Sequence, residues 1–184
     1  MLNKGDGLAA KDLRLISVTS VLYRIWSACR VKEVLVWQEQ LASEALLGFR
    51  HAHGCEDVCW HIALQVESAH HSGTPVCGLT VDFAKAFARL PVDILLNLAE
   101  TSGMPAGVIS GLRAMYKQLR RRFKTGGFLG QPFASTNVII QGCPLSVALL
   151  NVFVYVWTQM VQTEVPGAIA KAFADDLSLM GRSA

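Results

Sequence analysis

Charge is scarce in this 184-residue sequence: 17% of residues are charged against 52% hydrophobic. That balance excludes a disordered tail and leaves room for one domain with a sizeable core. Cysteine is scarce too. The five present (Cys29, Cys55, Cys59, Cys77 and Cys143) are odd in number and form no disulfide framework, which points to a reducing, intracellular setting, nucleus or cytoplasm. No apolar run reads as a membrane span. The richest, Val147 to Trp157, is interrupted by Asn151 and is expected to be a buried helix. Met1 to Lys11 is polar and glycine-bearing, without the apolar stretch of a signal peptide. Repeats and low-complexity tracts are absent. The net charge of +3 is compatible with a nucleic-acid partner but does not single one out.

What is present is periodic. Leu22, Ile25, Trp26, Cys29 and Leu35 recur at helical spacing and predict a helix over 17–40, with Ser17 or Thr19 as cap. A second helix is expected over 55–71, with Glu56 and Asp57 in its first turn and Gly73 at its stop. Residues 76–83 alternate: Cys77, Leu79, Val81 and Phe83 on an apolar face, Gly78, Thr80 and Asp82 on a small, polar one. That is a strand packed on one side, with Asp82 pointing away from the core near its end. Two helices follow, from Pro91 to Gly103 and from Pro105 to Leu119, then a basic, glycine-rich strand or hairpin over 121–131. Pro144 opens a helix that is apolar on nearly every side. Trp26, Trp37, Trp60 and Trp157 fall at helical positions and are expected in the core. The chain closes on Ala172–Met180, where two acids interrupt an apolar segment, as in a tight hairpin.

Two adjacent aspartates in an apolar stretch repel each other and are costly to bury. An isolated Asp-Asp is commonly just a turn. With a third carboxylate on a nearby strand, Asp82, Asp175 and Asp176 form a hard-oxygen set suited to Mg²⁺. Two such ions can activate an attacking hydroxyl and stabilise a leaving oxygen. His51, His53 and Cys55 are too tightly spaced for a zinc site. Lys117, Arg120, Arg121, Arg122 and Lys124 form the dense basic cluster, either a solvated face or a backbone-contacting surface.

Val81-Asp82-Phe83-Ala84-Lys85-Ala86-Phe87 resembles the first palm motif of reverse transcriptases, particularly those of non-LTR retroelements. Gln141-Gly142-Cys143-Pro144-Leu145-Ser146 resembles the second and Phe173-Ala174-Asp175-Asp176-Leu177 the third. Upstream, Arg14-Leu15-Ile16-Ser17 and Gly48-Phe49-Arg50 are similar to two fingers motifs. The resemblance covers nearly the whole chain in order. It implies an α+β fold, the fingers and palm of a right-hand polymerase with the thumb absent: fingers over 1–75, palm over 76–184. It implies RNA-directed DNA synthesis with two Mg²⁺ ions (Mn²⁺ as substitute), deoxynucleotide triphosphates, and an RNA or DNA template with primer. Asp82, Asp175 and Asp176 would be the catalytic, metal-binding acids. Arg14, Phe87, Gln141 and Gly142 would shape the nucleotide site, Phe87 rejecting a 2′-hydroxyl. Arg24, Arg50, Arg121 and Arg122 would contact nucleic acid.

The sequence also departs from the family pattern. Ala88 replaces a common Asp, Leu15 and Val147 replace prolines, Val138-Ile139-Ile140 replaces Gly-Val-Arg, Phe173 replaces Tyr, and His51-Ala52-His53 replaces a proline-containing stretch. These changes, and an end at Ala184 shortly after the acids, support the alternative of an inactive, truncated element that at most binds nucleic acid. An RNA-templated RNA polymerase would more often have Gly where Ala174 stands and a smaller residue than Phe87. A phosphatase-like reading lacks a second Asp at Ala84.

Overall fold

Ser20, rather than Ser17 or Thr19, starts the first long helix. Its hydroxyl accepts the Tyr23 N–H at 3.3 Å and caps α1 (Val21–Leu41). This computed structural model describes residues 16–135 and 137–182, together with the backbone of 2–3 and 13–14. Those two short pieces, β1 (Leu2–Asn3) and β2 (Leu13–Arg14), pair antiparallel. Helix α2 (Cys55–Ser72) begins where the Asp57 carboxylate accepts the Gly54 N–H at 3.0 Å, and it stops at Gly73 with φ +64°. Strand β3 (Val76–Asp82), the short helix α3 (Ala86–Arg89), and helices α4 (Val92–Thr101) and α5 (Ala106–Lys117) come next. A small hairpin of β4 (Lys124–Thr125) and β5 (Phe128–Leu129) precedes α6 (Pro144–Glu164). Strands β6 (Ile169–Phe173) and β7 (Asp176–Arg182) end the fold.

Helix α6 joins two cores. Its first half, with Leu145, Leu149 and Val152, is buried against α1, α4 and α5 beside Leu96 and Leu112. Farther along, Val154 meets Leu46, Ala172 and Leu177 beneath the sheet. Each fully buried aliphatic side chain contributes about 1.5–3 kcal/mol, so this one helix ties the helical layer to the strands. At 21 residues it is longer than the apolar run suggested, and its length and composition would suit a membrane crossing; here half of its most apolar stretch is buried inside the protein. The exposed residues cluster after Thr158, so the helix is buried all round only in its first part.

The sheet is antiparallel in the order β3-β7-β6. Together with the helices, it makes the α+β fold that the motif resemblance implies. Register sorts its two faces. Val81, Leu177 and Ala172 lie in one row facing α6. Asp82, Asp176 and Phe173 lie in the next row and face the other way. The alternation read from the sequence is therefore correct in phase but not in burial. Val81 and Phe83 pack against the small core, Phe83 edge-on to Phe153 at 5.0 Å, whereas Cys77 and Leu79 (58% exposed) are uncovered. β3 is an edge strand, and α6 does not reach its outer end. Trp37 is buried as expected; Trp60, on the outer side of α2, is 66% exposed and is not a core residue.

Candidate active site

The acids meet at the end of the sheet. Asp82, the last residue of β3, is the cross-strand partner of Asp176, the first residue of β7. Asp175 lies in the turn between β6 and β7, and its carbonyl accepts the Phe83 N–H at 3.2 Å. Register thus brings Asp82 to the same end of the sheet as the adjacent pair Asp175-Asp176, far along the chain. None of them is in an ion pair among the described residues. Such a donor set suits a hard divalent cation by type. The side chains as placed do not close on a common point: among the described residues, no three His, Cys, Asp or Glu groups form a ready metal site. The fit to a metal ion therefore rests on the backbone placement and chemistry of the three acids.

The turn that carries Asp175 is strained and supported. Ala174 has φ +57°, a left-handed conformation unusual for a residue with a Cβ. Gly48 lies directly against it; a Cβ on Gly48 would stand 2.4 Å from the Ala174 nitrogen. Phe49 stacks on Phe173, centroids 6.3 Å apart. Two buried amides hold this arch in place. Asn151 of α6 donates to the Gly48 carbonyl at 3.0 Å, and Gln38 of α1 donates to the Phe49 carbonyl at 3.2 Å. Arg50 completes it by bonding the Glu39 carboxylate at 2.8 Å and the Ser43 and Leu46 carbonyls. This pairing holds the Glu39 carboxyl below the usual range. The residues named from the sequence as contact groups are thus joined by positioning residues that it did not flag, Gln38 and Asn151. For Asn151 the available signal was an isolated amide in an apolar helix run; Gln38, beside Glu39 and Gln40, carried no such signal.

A second group of predicted residues surrounds the turn into α6. The Ser17 N–H donates to the Gln141 carbonyl at 3.0 Å, and the Ile139 N–H to the Phe87 carbonyl at 2.7 Å. Gly142 has φ +104°, and a Cβ there would meet the Ser17 oxygen at 3.1 Å, so glycine serves both conformation and close approach. Tyr23 Oη lies 3.1 Å from Cys143 Sγ, and Tyr116 Oη accepts the Ile140 N–H at 3.3 Å. Burial pushes both phenols up. Ile139 and Ile140 are fully buried, so the residue standing where the family pattern has Arg is part of the core. Phe87 is half-buried against the main core.

The four arginines expected at nucleic acid differ in placement. Arg24 and Arg122 are exposed. Arg50 is committed to the arch, and Arg121 turns inward to donate to the Val138 carbonyl at 2.7 Å, with burial lowering its pKa. For those two, contact with nucleic acid would require leaving internal partners. The Arg14 side chain lies outside the described residues.

Residues 2–184 match the family described as "Reverse transcriptase (RNA-dependent DNA polymerase)". Over 182 residues the chain is 25% identical to the Retrovirus-related Pol polyprotein from type-2 retrotransposable element R2DM of Drosophila melanogaster. That match takes in 94% of this chain but only 17% of the polyprotein. Solved telomerase structures share its fold. One from Candida tropicalis, in complex with a TWJ fragment of telomeric RNA, has TM-score 0.66 at 11% identity, covering 89% of this chain and 30% of that one. One from Candida albicans has TM-score 0.59 at 15% identity, covering 86% and 32%.

Proposed function

The chain belongs to the reverse transcriptase family, and from that premise we propose that it is the fingers (1–75) and palm (76–184) of a retroelement-encoded polymerase extending a primer on an RNA or DNA template. The observation that carries this is the register that sets Asp82 beside Asp176, with Asp175 in the adjoining turn. Asp82, Asp175 and Asp176 would hold two Mg²⁺ ions, which lower the pKa of a primer 3′-hydroxyl and neutralise charge on a departing pyrophosphate. The chain's own residues supply position. The arch of Gly48, Phe49 and Arg50 fixes the acid turn from behind. Gln141 and Gly142 form one wall of a nucleotide pocket, held by Ser17 and, through Ile139, by Phe87. Phe87 would exclude a 2′-hydroxyl, and Arg14 would meet the triphosphate. Arg24 and Arg122 supply exposed charge for template or primer.

The test is primer extension on an RNA template by the polypeptide that carries this chain, with deoxynucleotides and Mg²⁺ or Mn²⁺. Asp175→Asn keeps the side chain's shape and removes its charge. It should reduce extension to the level seen without divalent metal, with an unchanged circular dichroism spectrum. Extension at the parental rate in that variant would remove the acids from the chemistry and end the proposal.

A further inference from the structure

All fourteen acidic residues lie outside positions 101–163, a stretch that carries Arg113, Lys117, Arg120, Arg121, Arg122 and Lys124. The structure folds the middle of this acid-free stretch into an exposed hairpin ribbon. Lys124 pairs with Leu129 and Thr125 with Phe128 across Gly126-Gly127, both with positive φ (+55° and +86°). Lower down, Arg121 bridges to Phe133. Between those pairings, residues 122–123 face 130–132, one residue more on the second side, as in a β-bulge. A bulge bends and twists a ribbon and so re-aims its tip.

The ribbon has two unlike faces. By alternation, Phe123, Thr125 and Phe128 share one face, with Gly130 opposite Phe123. Phe123 stacks on Phe133 at 5.0 Å and 24°. Phe128 is 83% exposed, Leu129 60% and Phe123 47%. Arg122 and Lys124 share the opposite face with Leu129, the cross-strand partner of Lys124. The strands lie only about 5 Å apart, so these long side chains reach past the ribbon's edge. Lys117, Arg120, Arg122 and Lys124 are all exposed and, among the described residues, in no ion pair. At its base, Arg121 ties the ribbon to Val138, next to the Ile139 that bonds Phe87.

We infer that the ribbon over 121–133 is a binding element for single-stranded nucleic acid, with Phe128 stacking on a base and Arg122 and Lys124 meeting the phosphates. Exposed aromatics among unpaired cations suit a strand whose bases are free to stack, since stacking needs no base identity and the phosphates supply the opposite charge. A closed duplex offers no such base face. The reading rests on the proposed function only for placing the strand near the nucleotide pocket; binding itself requires no catalysis.

The experiment measures fluorescence anisotropy of a labelled dT or rU oligonucleotide with the 184-residue chain, over a salt series. Phe128→Leu keeps apolar area and loses the aromatic ring; it should weaken binding about tenfold. Phe128→Trp should bind at least as tightly as the parent. Arg122→Ala should flatten the salt dependence by about 0.7 in the log–log slope. Equal binding by Phe128→Leu and parent overturns the inference. So does a chain that self-associates through Phe128, seen as a sedimentation shift lost in Phe128→Leu without any effect on the oligonucleotide. Retained single-strand binding alongside absent primer extension would uphold the ribbon while counting against the polymerase reading, so the two fail separately.

Discussion

The two hairpins of this protein, the acidic one between β6 and β7 and the basic one between β4 and β5, both turn through two residues, and they solve the turn differently. The basic one uses Gly126-Gly127, with φ +55° and +86°, where added Cβ atoms would meet nothing within 4 Å. The acidic one places Ala174 at φ +57°. A left-handed residue with a Cβ costs about 1–2 kcal/mol, and it persists because its surroundings hold it. Those surroundings are the Gly48 backbone, the Phe49–Phe173 stack and two buried amides. An unsupported turn takes its shape from glycine, whereas a supported one can carry strain and put side chains where they are wanted.

The sharpest way to break this comparison is to add one methyl group to each hairpin region. Gly48→Ala would drive a Cβ into the Ala174 backbone, which cannot rotate aside. It should cost about 3 kcal/mol or more, at the upper end for overpacking, seen as a lower urea midpoint with an unchanged slope. Gly126→Ala meets only conformational strain and should cost about 1 kcal/mol. Similar midpoints for the two variants would show that the acid turn yields to its neighbours and is not braced by them. A smaller effect is expected from Asn151→Ala. It removes the donor to the buried Gly48 carbonyl and should cost about 1–3 kcal/mol. Full stability in that variant would mean that the arch stands without α6.

Sequence alone reveals the acid side of this comparison far better than its supports. Alternation over 76–83 gives the phase of β3, and the Asp-Asp pair in an apolar segment gives the hairpin, because both are local patterns. The convergence of Asp82 with Asp176 depends on strand register, and only the motif resemblance suggests it. Burial of β3 escapes the pattern because alternation reports which face is apolar, not whether a helix reaches far enough to cover it. Trp60 is missed for the same reason. Arg50 and Arg121 read as charge in the sequence, yet their guanidinium groups bind carbonyls and a carboxylate of their own chain. Gln38 and Asn151 gain meaning only once Gly48 and Phe49 are seen to need donors.

The smallest expected effect concerns a cation on the acid side. Lys171 is 8% exposed on β6, two residues from Phe173 and on the same sheet face as Asp176. Its Nζ donates to the Glu44 carbonyl at 2.9 Å, in a cleft also lined by His61 and Gln65. Burial pulls its pKa down, and the nearby Glu44 carboxylate offsets part of that. A lysine with a lower pKa folded than unfolded holds fewer protons when folded, so raising pH favours folding. The gain accrues between the lowered folded value and about 10.4. Stability of the parent should therefore rise, relative to Lys171→Met, as pH goes from about 8 to 10.5, with a slope of at most about 1.4 kcal/mol per pH unit. Parallel curves would mean that Lys171 stays as well solvated folded as unfolded. The acid turn would then lack a desolvated neighbour, and its environment would be closer to that of the exposed basic ribbon than the burial of Lys171 indicates.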